Sequence, residues 1–208
     1  MPKATFFNLA GDKRKILIEA LVKEFSRVPL YDASVSNIVK SANIPRGSFY
    51  QYFEDKEDAY FYLLNEQVAK SKEKFILCLL KYNGDLFDAM IEMFALTIMD
   101  FSKGENINFL KNALLNMTHE IESSFNDIFN ANGNQDQFQQ ISLLINKDCL
   151  NISSDKELLH LLKIVATVTF RNLMERLACD VSDKDALHDY TIEMGLLKKG
   201  LYKRNTDI

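Results

Sequence analysis

An all-α fold is predicted for this 208-residue chain from three observations. All three prolines (2, 29 and 45) fall in the first 45 residues, so nothing after Pro45 forbids helix. No stretch alternates apolar and polar residues between turn signals as a half-buried strand does, while apolar residues recur at three- and four-residue spacing. The composition, 47% apolar and 26% charged, is that of a globular chain and excludes disordered and collagen-like classes. The expected architecture is an N-terminal three-helix, helix-turn-helix domain over residues 1–56 and a C-terminal helical domain over 57–208, about nine or ten helices in all.

Asp12 is placed to cap a first helix over about 13–27, with Leu17, Ala20, Leu21, Phe25 and Val28 along one stripe and Pro29 closing it. Ser34 or Ser36 caps a short second helix carrying Ile38, Val39 and Ala42. In Ala42-Asn43-Ile44-Pro45, asparagine tolerates the left-handed conformation that ends a helix. Ile44 is biased to extended geometry by the following proline, and Pro45 suits the first position of a third helix running to Tyr52. Two short helices across so tight a turn make a helix-turn-helix. At about 100° per residue, Phe49 and Phe53 of the third helix point inward with Ile44, while Gly47, Ser48, Gln51 and Tyr52 point outward and Tyr50 lies on the flank. A polar outer face with a glycine that permits close approach suits the major groove of DNA.

Glu54 or Asp55 caps a long fourth helix over about 56–81, ending near Asn83-Gly84. Further helices are expected at about 85–102, 106–117, 119–130, 137–148, 155–179 and 183–199. Their breaks fall at Lys103-Gly104, Asn132-Gly133-Asn134, Asn151–Ser154 and Asp180–Ser182.

The net charge of −4 is unevenly spread. Residues 1–53 hold eight Lys/Arg against four Asp/Glu, giving +4, and the remainder is −8. A basic head on an acidic body fits a protein that meets a polyanion with one end. The N-terminus lacks the apolar core of a signal peptide, and the most apolar run, Phe87 to Met99, is broken by Asp88 and Glu92. No membrane partner is expected. The scattered cysteines Cys78, Cys149 and Cys179 read as reduced thiols of a cytoplasmic protein. His119-Glu120 lacks the second histidine of a zinc-protease motif, and no Walker, G-x-G-x-x-G or G-x-S-x-G sequence is present, so no catalytic residue, metal or cofactor is expected.

The stretch from Ser34 to Glu57 closely resembles the DNA-binding signature of the tetracycline-repressor (TetR/AcrR) family. Ser34, Val35, Ile38, Ala42, Gly47, Tyr50, Phe53 and Lys56 sit on the signature's positions at its spacing. Asn43 replaces the usual glycine, Pro45 the usual Ser/Thr cap, and Tyr52 stands where histidine is common. The resemblance implies a homodimeric regulator on a pseudo-palindromic double-stranded DNA operator, its body a ligand-binding and dimerisation domain. It implies phosphate contacts from Tyr50 and Lys56, entry of Arg46, Gly47, Ser48, Gln51 and Tyr52 into the groove, and backbone contacts from Ser34 and Ser36. Lys13, Arg14 and Lys15 read either as a phosphate clamp or as a solvated charge run.

In the body, Leu187, Tyr190, Met194 and Leu197 step by three and four residues, the spacing of a helix–helix seam, and are assigned to the dimer interface. The abundance of Phe and Met suggests an adaptable apolar cavity walled by Met90, Phe94, Thr97, Phe109, Met117, Phe125 and Phe170, for a small hydrophobic effector, cationic if Glu92 faces inward. The expected function is a repressor released from DNA by that effector. Alternatives are an activator or ligand-independent regulator of the same fold, or a helical enzyme or lipid carrier with a vestigial head.

Overall fold

The computed structural model describes residues 1–103, 107–129, 135–179 and 181–202. Among them are eleven α-helices: α1 (Ala4–Phe7), α2 (Gly11–Arg27), α3 (Val35–Ala42), α4 (Arg46–Tyr52), α5 (Lys56–Lys81), α6 (Leu86–Lys103), α7 (Ile107–Leu115), α8 (His119–Asn126), α9 (Gln135–Leu144), α10 (Asp155–Ala178) and α11 (Asp183–Leu201). The fold class is all-α as expected, with only an isolated bridge between Leu150 and Tyr202 among the described residues. The breaks expected at Gly104 and at residues 132–134, with helix ends at 106 and 130, lie outside the described residues. Among the described residues no helix is long and apolar enough to cross a membrane.

The chain forms two compact units. The first comprises Met1–Gln67 and Lys103–Ile121, the second Val68–Ser102 and the chain from Glu122 onward. The domain limit read from sequence at residue 56 therefore falls inside the first unit. The physical reason is aromatic packing between distant segments. Phe25 meets Tyr60 edge-on at 5.1 Å, and Phe109 lies 5.3 Å from Tyr60. Asn112 of α7 then donates to the carbonyls of Phe25 and Ser26 at the end of α2, at 3.0 Å each.

Two caps differ from expectation. α2 begins at Gly11 without a side-chain cap, and Asp12 lies in its first turn, where its charge favours the positive end of the helix dipole. Ser34 occupies the N-cap position of α3, but neither it nor Ser36 caps with its side chain. The break between α3 and α4 follows the sequence expectation. Asn43 is left-handed (φ 52°, ψ 47°), and the Ile44 and Asn43 N–H groups donate to Val39 and Lys40 carbonyls, closing the helix in a Schellman arrangement. Pro45 is the N-cap of α4 rather than its first residue.

In the second unit, α6, α10 and α11 supply fully buried Phe87, Met90, Phe94, Leu158, Leu162, Val165, Tyr190 and Met194. Phe94 and Tyr190 stack at 4.1 Å with 16° between ring planes, and the Tyr190 and Thr169 hydroxyls share a 2.7 Å hydrogen bond. Gly84 turns the chain at φ 81°, and its carbonyl accepts from the Asn146 N–H. A Cβ there would lie 2.5 Å from the Leu144 carbonyl oxygen, so only glycine fits. Asp85 then caps α6 through Oδ1, while Oδ2 accepts from Lys198 (2.8 Å) and Tyr202 (2.6 Å), fastening the end of α11. Burial opposes ionisation, but the hydrogen bonds from Lys198 and Tyr202 hold the Asp85 carboxyl below the usual carboxylate range.

Candidate nucleic-acid interface

The helix-turn-helix is built on a buried wedge. Ile38, Phe49 and Phe53 have no exposed surface, and Phe49 and Phe53 pack at 5.5 Å. With these residues inward, α4 presents Arg46, Gly47, Tyr50 and Gln51 to solvent, and Ser48 and Tyr52 are half-buried. Gly47 is helical and a Cβ on it would meet nothing within 4 Å, so no neighbour in the chain requires a glycine there. Three of the expected contact residues converge. Arg46 donates to Ser36 Oγ (2.9 Å) and to the Tyr50 hydroxyl (3.3 Å), and its guanidinium lies 5.9 Å from the Tyr50 ring centroid. This ties the first turns of α3 and α4 to one exposed cation whose side chain is already ordered.

The other expected contacts stand differently. Lys56 is half-buried, and its ammonium donates to the carbonyls of Tyr31 (2.7 Å) and Ala33 (3.2 Å), closing the turn before α3 and leaving one N–H bond of three. Ser34 is half-buried, and its N–H donates to Glu24. Lys13 and Lys15 are exposed and Arg14 half-exposed.

Glu24 is the site residue that sequence reasoning missed. It is buried, 5% exposed, at the α2–α3 junction. Its carboxylate accepts twice from Arg27 (2.8 and 2.9 Å), once from the Ser34 N–H (2.9 Å) and once from Asn37 Nδ2 (3.1 Å). It thus takes up one of the open N–H groups at the positive end of α3, that of the N-cap residue Ser34. The hydrogen bonds from Arg27 chiefly, against burial and with Ser34 and Asn37, hold its carboxyl below the usual range. A glutamate directly before Phe25 on the buried stripe was the available signal.

The residues expected to wall an effector cavity are divided between the two units. Phe109 and Met117 belong to the first unit, where Phe109 fills the Phe25–Tyr60 cluster. Met90, Phe94, Thr97, Phe125 and Phe170 belong to the second, where one face of Phe94 is covered by Tyr190 and Phe125 packs 5.4 Å from Phe170. Glu92 pairs with Lys81 (2.6 Å) and accepts from the Tyr82 hydroxyl (3.2 Å), so its charge is already matched. The seam read on the last helix is corrected as well. Tyr190 and Met194 are fully buried within the protomer, and Leu187 and Leu197 half-buried, because that face packs inward. The exposed large apolar residues of α11 are Ile192 (49% exposed) and Leu196 (64%), and α10 exposes Ile164 (50%).

An all-helical chain whose N-terminal unit carries a helix-turn-helix with an exposed, polar second helix is of the class built to read DNA. Residues 17–61 match the family described as bacterial regulatory proteins, tetR family, and residues 85–201 match the tetracyclin repressor-like C-terminal domain. The chain belongs to the TetR family. It is 39% identical over 69 residues to the uncharacterized HTH-type transcriptional regulator YdgC of Bacillus subtilis (strain 168), a match covering 32% of this chain and 35% of that protein. The chain thus matches about a third of the length of this curated relative. Among solved structures, a TetR family transcriptional regulator from Chloroflexus aurantiacus J-10-FL is 25% identical with a TM-score of 0.53, covering 98% of this chain and 100% of that one. The regulator FadR from Bacillus subtilis, solved with stearoyl-CoA, has the same fold at 17% identity and a TM-score of 0.62, covering 89% and 98% of the two chains.

Proposed function

We propose that this protein is a DNA-binding transcriptional regulator, a repressor that leaves its operator when a hydrophobic small molecule binds the helical body. The observation that carries this reading is the Ser36–Arg46–Tyr50 cluster on the exposed face of the helix-turn-helix. Arg46 retains donors for a guanine edge, Tyr50 and the one remaining N–H of Lys56 would take phosphates, and the open surface at Gly47 admits a groove wall. Ser34, Ser36, Ser48, Gln51 and Tyr52 complete the proposed contact surface. Binding of a duplex covering the region upstream of the chain's own coding sequence, measured by fluorescence anisotropy across salt concentrations, tests it. Arg46→Ala is expected to weaken the specific complex by about 1–3 kcal/mol. Lys56→Ala is expected to weaken all duplexes alike and flatten the salt slope by about one. Unchanged binding by both variants would refute the assignment.

The proposed assembly is a cytoplasmic homodimer on a pseudo-palindromic operator, and the outward Ile192, Leu196 and Ile164 are the candidate contact face in place of Tyr190 and Met194. The proposed effector is apolar, a drug-like aromatic or an acyl chain, bound in the second unit near Met90, Phe94, Thr97, Phe125 and Phe170. The stearoyl-CoA held by a protein of the same fold supports the acyl option. Release follows if the effector binds one arrangement of the heads more tightly, and tenfold weaker operator binding requires about 1.4 kcal/mol of such preference. No catalytic role is proposed.

A further inference from the structure

α4 is seven residues long, under two turns, and such a helix does not hold its shape alone. Its N-terminus begins at Pro45 with no side-chain cap. Its C-terminus is the better fastened end, and the fastening comes from a segment more than forty residues away in sequence.

The last four carbonyls of a helix have no partner within it. In α4 the Phe49 carbonyl accepts from the Phe53 N–H at 2.9 Å. The other three are all taken by residues 3–5. Lys3 Nζ donates to the Tyr50 carbonyl at 2.8 Å, the Thr5 hydroxyl donates to the Gln51 carbonyl, and the Lys3 N–H donates to the Tyr52 carbonyl at 2.8 Å. The Lys3 ammonium also sits at the negative end of the helix dipole. The segment is anchored independently of these bonds: Phe6 is fully buried, 5.0 Å from both Phe53 and Tyr62, and Pro2 is buried.

From this geometry we infer that the Lys3–Phe6 arm positions the recognition helix. By satisfying every open carbonyl of its last turn, the arm sets the direction in which Gln51 and Tyr52 leave the helix, and so contributes to discrimination between DNA sequences without itself reading a base. Lys3 and Thr5 are positioning residues in this account, and the inference rests on the DNA-binding function proposed above.

The test uses the full chain carrying Lys3→Ala and Thr5→Ala together, with Phe6 and its anchorage kept, and Lys3→Arg as the conservative variant. The probes are a duplex enriched from a random pool by the wild-type chain and a shuffled duplex of the same composition. Backbone hydrogen exchange is followed in parallel at Gln51, Tyr52 and Phe53. The expected result is faster exchange confined to these residues, a loss of about tenfold in the ratio of enriched to shuffled binding, as for one lost base contact, an unchanged salt slope, and recovery in Lys3→Arg. A salt slope reduced by about one, with exchange unchanged, would make Lys3 a simple phosphate contact and overturn the inference. So would faster exchange with discrimination intact, or no change in either. If the wild-type chain enriches no duplex, the DNA-binding function fails and the positioning role with it, while the exchange data report separately whether the cap stands.

Discussion

Replacing Glu24 by alanine tests whether a buried carboxylate holds the helix-turn-helix together. The substitution removes an acceptor from the Ser34 N–H at the start of α3, from the Asn37 amide and from Arg27. Arg27 is half-exposed and rehydrates, so the loss of its ion pair adds little. An uncapped first turn costs about 1 kcal/mol, and the exposed Asn37 amide rehydrates at a cost of about 0.5 kcal/mol. The sum is a destabilisation of about 1–2 kcal/mol, or a fall of roughly 2–8 °C in melting temperature for a chain of this size. Glu24→Gln keeps an acceptor and the volume, and is expected to lose about half as much.

The dependence on pH has a definite sign. The folded carboxyl titrates below its ordinary value of 4.5, so its contribution is fully present above that pH and is lost as pH falls through the folded value. The stability gap between wild type and Glu24→Gln therefore narrows on acidification below about pH 4.5 and is flat near neutrality. Urea unfolding followed by circular dichroism measures both quantities. A Glu24→Ala chain within about 0.5 kcal/mol of wild type would refute the hub described for Glu24.

Gly84→Ala forces a Cβ to 2.5 Å from the Leu144 carbonyl at φ 81°, and is expected to destabilise the second unit by more than about 2 kcal/mol, read by thermal melting. Met194→Glu buries an unpaired carboxylate in the protomer and is expected to unfold the second unit rather than merely separate subunits, whereas Leu196→Glu leaves stability within about 0.5 kcal/mol and weakens self-association in sedimentation. A folded, monomeric Met194→Glu chain would restore the seam first read on that helix. Tyr190→Phe keeps the stack on Phe94 but removes the hydroxyl that donates to Thr169 Oγ1, which keeps its own bond to the Val165 carbonyl, an expected loss of about 1 kcal/mol in urea unfolding.

Local rules were enough for the helix-turn-helix. Asn43 in a left-handed turn, the closing Pro29 and the inward Phe49 and Phe53 are all consequences of backbone preference and helical periodicity, which a sequence states directly. The exposure of Gly47 and Gln51 follows from the same periodicity, as do the long helices from Lys56 to Lys81 and from Asp155 to Ala178, whereas Ser48 and Tyr52, placed outward with them, are half-buried and Tyr50, placed on the flank, is exposed. What needed the tertiary structure were partners distant in sequence. Glu24 holds the N–H of Ser34 at the start of α3 across a ten-residue separation, Lys56 reaches back to Tyr31 and Ala33, and Lys3 closes a helix 47 residues away. The direction of an apolar stripe was equally undetermined. Tyr190 and Met194 are spaced as an interface would be, but an interface and a core impose the same period, and only packing against Phe94 and Thr169 assigns them to the core. Periodicity fixes which residues share a face of a helix, while the neighbour that face meets is settled by long-range packing, which no local pattern encodes.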